Sequence, residues 1–176
     1  LRATARKRLA PETLSDDFGP ESVSARAVVN ALVDAFYESD HPKVNTMFDE
    51  WDRIFGIVYG QDLQKAINDV EELTEIYNIE RGVDLKPVLF CVHTYFALFI
   101  KLLAAELMSQ MQPMMPSFIG GMAAESQQQL CQKLVDLEEG GVFRQYGIVN
   151  FLEGDFFGWF LEVFDGDLDG AIRTMV

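Results

Sequence analysis

Three ionisable side chains lie inside the most apolar stretch of this chain. The stretch runs from Val88 to Leu107, and the residues are His93, Lys101 and Glu106. A histidine, an ammonium and a carboxylate held together away from water could move protons or bind a polar ligand. On a helix His93 and Lys101 are eight residues apart and share a face, with Ala97 between them. Glu106 lies five residues further on, about 140° round the helix, and is badly placed to pair with Lys101. One reading makes the three a buried polar cluster that binds a partner or ligand. The other makes them a hydrogen-bonded core histidine and a lysine whose stem lies along apolar surface. The second fits better, because neither His93 nor His41 is accompanied by a nucleophile motif.

The second candidate is the acidic C-terminus, DGDLDGAIRTMV. Asp165, Asp167, Asp169, Gly170 and Ile172 fall at positions 1, 3, 5, 6 and 8 of a twelve-residue calcium loop. Position 12 calls for a bidentate glutamate, and Val176 stands there. Calcium binding would therefore be weak, and a solvated acidic junction is the simpler reading. A zinc site from His41, Cys91, His93 and Cys131 fits no ligand spacing, since residues two apart on a helix point away from each other. No phosphate loop, dinucleotide loop, zinc-protease motif or nucleophile elbow is present. No catalytic or cofactor-binding residue is therefore assigned.

The stretch around His93 must itself be placed. It is apolar enough to span a bilayer, but an ionisable group near the centre of a span costs several kcal/mol. A core helix of a helical domain, over about residues 86–110, accounts for it better. Apolar spacings of three and four give further helices over 23–37 (Val28, Leu32, Ala35, Phe36), 43–59 and 62–77. Ser22 or Ser24 could cap the first of these, and Asp84 and Pro87 suit the start of the long helix. Residues 111–121, MQPMMPSFIGG, read as a loop, followed by a helix from Ala123 to Glu138 and a turn at Gly140 and Gly141. Residues 142–152 are ambiguous. DFFGWFLEVF reads as a helix capped by Asp155, with Phe156, Phe157, Trp159, Phe160 and Phe164 packing. No strand alternation or internal repeat is evident. The fold class is mainly α, a single-domain bundle around one long apolar helix. Residues 1–20 form a basic lead-in or linker and 21–176 the domain, expected to be a piece of a longer protein.

Composition limits the function. The net charge is −14, and with four basic residues in the first eight, residues 9–176 hold 10 basic and 28 acidic groups. Such a body repels phosphate backbones. Two cysteines without a CxxC suit a reducing cytoplasm.

Several stretches together resemble the helical region that precedes the catalytic core of bacterial N6-adenine DNA methyltransferases of restriction–modification and phage-defence systems. They are RLAPETLSDDFG (8–19), FDEWDRIFGIVYG (48–60), LFCVHTYFALFIKLLAAELMS (89–109) and GGVFRQYGIVNFLEGDFFGWFL (140–161). The sharpest parts are HTYFALFIKLLAAE and NFLEGDFFGWFL. That family's Asn-Pro-Pro-aromatic motif, which holds the flipped adenine, is missing here, and so is a convincing S-adenosylmethionine loop. The resemblance thus implies a non-catalytic helical module. S-adenosylmethionine would belong to the parent enzyme, and the partner would be a catalytic methyltransferase domain or a partner subunit. DNA would be reached through the full-length protein, with no membrane involved. Two other readings stay open: a free-standing acidic helical interaction module, and an acidic DNA mimic.

Overall fold

The computed structural model describes residues 10–59, 67–112, 116–149 and 156–176, with the side chains of 57–59 and 67–69 left aside. It is mainly α, with no strand among the described residues. The helices are α1 (Pro11–Phe18), α2 (Val23–Glu38), α3 (Pro42–Tyr59), α4 (Ile67–Tyr77), α5 (Leu85–Met111), α6 (Phe118–Met122), α7 (Gln127–Glu138), α8 (Gly141–Arg144) and α9 (Gly166–Ile172). A 3-10 helix, Phe157–Val163, precedes α9, and a 3-10 turn, Arg173–Met175, follows it.

Local chemistry explains most boundaries. Ser22 caps α2 by accepting from the Ala25 N–H, while Ser24 lies inside the helix and donates to the Thr174 carbonyl. Pro11 and Pro42 open α1 and α3, where a missing N–H is harmless. Asp84 precedes α5 but makes no side-chain cap bond; its backbone N–H donates to the Tyr37 hydroxyl. α4 ends with Asn78 at φ 55°, its N–H bonding the Glu75 carbonyl and the Ile79 N–H the Thr74 carbonyl. The remaining carbonyls there are taken by α2, with Arg26 Nε donating to Ile76 and Asn30 Nδ2 to Tyr77.

The bundle is built on α2 and α5. α2 buries Ala25, Val28, Val29, Leu32 and Val33, and lies against both α5 and α9. α5 runs 27 residues and packs on α2, α3, α4, α6, α7 and the 3-10 helix. By length and composition α5 could cross a membrane, but 56% of its most apolar window is buried inside the bundle. α1 packs on α2, and Phe18 sets its ring 4.9 Å from Phe99. The described end of the expected lead-in is thus folded onto the body; residues 1–9 lie outside the described residues.

Four expectations change. Residues 118–121, read as loop, belong to the helix Phe118–Met122, which Ser117 caps through the Gly120 N–H. The helix expected from Ala123 starts only at Gln127, where Ser126 and Gln129 form a reciprocal capping box. Gly141, read as part of a turn, opens a short helix that takes in 142–144 of the ambiguous segment and follows Gly140 at φ 72°, a conformation that favours glycine. The aromatic run is a 3-10 rather than an α-helix, with Trp159 and Phe160 buried; Asp155 and residues 60–66 lie outside the described residues.

Candidate functional site

The polar residues of α5 do not form one cluster. A rise of about 1.5 Å per residue separates His93 from Lys101 by about 12 Å along the axis, and Glu106 by more. Each has a partner of its own.

His93 is half-buried where α3, α5 and the 3-10 helix meet. Its Nδ1 accepts a hydrogen bond from Trp51 Nε1 at 3.3 Å, and Phe55 and Phe157 set their rings 5.1 and 6.5 Å away. Burial lowers its pKa, so the neutral ring is favoured. The next residue, Thr94, is fully buried; its hydroxyl donates to the Phe90 carbonyl and accepts from Trp159 Nε1 at 2.9 Å. Around these bonds lies an aromatic node. Phe90 has Phe36, Phe48, Trp51 and Trp159 with ring centroids within 6.0 Å.

Lys101 is buried and donates to Glu138 at 2.6 Å across the α5–α7 interface. Both side chains are more than nine-tenths buried, so the ammonium is neutralised by an ion pair instead of reaching solvent. Glu138 also lies against the backbone at Gly158, joining α7 to the 3-10 helix.

Glu106 is a hub of a different kind. Its carboxylate accepts from Gln110 Nε2 at 2.8 Å, from the Ser117 hydroxyl at 3.0 Å and from the Ile119 N–H at 3.0 Å. Burial by itself would raise its pKa. The donors from Gln110, Ile119, Ser117 and Phe118 outweigh burial, and the net shift is downward. The carboxylate is therefore ionised at neutral pH and pins α6 to the end of α5.

Asp165, Asp167 and Asp169 belong to a helix and not to an open loop. Asp165 Oδ1 accepts from the N–H groups of Asp167 and Leu168, capping α9. Asp169 pairs with Arg173 at 2.7 Å one turn on. Arg173 in turn donates to the Glu125 carbonyl, tying α9 to the turn before α7. Among the described residues no group of three or more His, Cys, Asp and Glu is arranged to hold a metal ion.

Sequence reading missed Glu138, Thr94 and Ser117. Glu138 did leave a trace: it lies four residues after Leu134, on the side of α7 that is buried. A buried lysine needs a carboxylate on such a face.

No family model matches the chain, and neither curated proteins nor solved structures yield a match.

Proposed function

We propose that this chain is a non-catalytic helical module of a DNA N6-adenine methyltransferase of a restriction–modification or phage-defence system. It packs against the catalytic domain or a partner subunit and helps to position it on DNA. The parent enzyme works in the cytoplasm and uses S-adenosylmethionine, which this segment does not bind.

One observation carries the reading. The stretches on which the resemblance rests meet in space. Phe48, Trp51 and Phe55 come from the second, Phe90 and His93 from the third, and Phe157 and Trp159 from the fourth; together they build the aromatic node. The first stretch joins them through Phe18, whose carbonyl accepts from the Tyr95 hydroxyl at 2.7 Å. Residues that build one core must keep their types together for the fold to persist, so a resemblance that includes them is what a shared fold would leave. The polar groups of α5 are meanwhile occupied in holding helices together, which suits a packing module better than a reaction centre.

The test has two parts. The coding sequence that adjoins this segment, in the same or the neighbouring gene, is expected to encode an Asn-Pro-Pro-aromatic motif. The 176-residue chain alone is expected neither to bind S-adenosylmethionine nor to methylate adenine. Methyl transfer by the chain alone, or no such motif nearby, overturns the proposal.

A further inference from the structure

We draw no further inference here: the strongest candidate, the groove between α2 and α9 where Asp34, Glu38, Asp165 and Asp167 are gathered with the small residues Ala31 and Gly170, is an acidic cluster over small residues in which Asp165 already caps α9, and nothing in the structure shows what would occupy it.

Discussion

Lys101 and Glu138 hold each other's charge in a setting where neither could stand alone. Removing one partner of a buried pair leaves an uncompensated charge and costs about 3–5 kcal/mol. Lys101→Met is expected to destabilise the chain by that order, measured by urea unfolding. Lys101→Met combined with Glu138→Leu is expected to recover most of the loss, because the second change removes the stranded carboxylate. His93 gives a test of the opposite kind. Its pKa is lowered by burial, so protonation favours the unfolded chain. The stability it contributes is complete above the ordinary histidine value of about 6.5 and is lost as pH falls through the lower folded value. Between about pH 7.5 and 5.5 the parent chain is therefore expected to lose more Tm than His93→Gln. Parallel Tm curves for the two proteins would refute this.

At the scale of elements, α6 is held by the Glu106 carboxylate, the Ser117 cap and the burial of Met122. A helix of five residues has too little of its own hydrogen bonding to persist, so its order comes from Glu106 and from the Ser117 cap. Glu106→Ala is expected to cost about 2–3 kcal/mol and to speed amide exchange at Ile119 far more than in α2. The carboxyl is held below its ordinary range, so its contribution is present at neutral pH and disappears as pH falls through that lowered value. α9 makes the complementary case, in which residues that weakly match a calcium loop include a helix cap. Asp165 is engaged by two backbone N–H groups and Asp169 by Arg173. A calorimetric titration to millimolar calcium is expected to show no binding heat, while Asp165→Ala lowers stability by about 1 kcal/mol through loss of the cap. Binding heat abolished by Asp167→Asn would instead restore the calcium reading.

Across the whole molecule the aromatic node is the common anchor. Phe90 is fully buried and touches rings contributed by α2, α3 and the 3-10 helix. Truncating it opens a cavity that several elements must share. Phe90→Ala is expected to cost about 3–5 kcal/mol, against a total of about 5–15 kcal/mol for a domain of this kind. Unfolding followed by tryptophan fluorescence and by far-ultraviolet circular dichroism should remain coincident. Separate transitions would mean that the node does not couple the helices. The composition foreshadowed such a core, with 14 Phe and 2 Trp, but not its membership.

Much of the architecture was legible from the chain alone. The class, the long apolar helix, the positions of α2 and α3, the end of α7 and a cap at Ser22 or Ser24 follow from spacings and caps within a few residues of each other. Those signals are local, because a helix is closed by bonds four residues apart. The partners of the polar groups were not legible. Lys101 meets Glu138 across 37 residues, Trp159 meets Thr94 across 65, and Ser24 meets Thr174 across 150. Which carboxylate or hydroxyl arrives at a given helix face depends on how the elements pack, and packing is not written in any one of them. The sequence by itself therefore determined that α5 would be the spine and that its ionisable residues needed partners. Only the tertiary structure decided that those residues turn inward, each to a different partner, while Ile100, Leu107 and Met111 of the same helix turn outward.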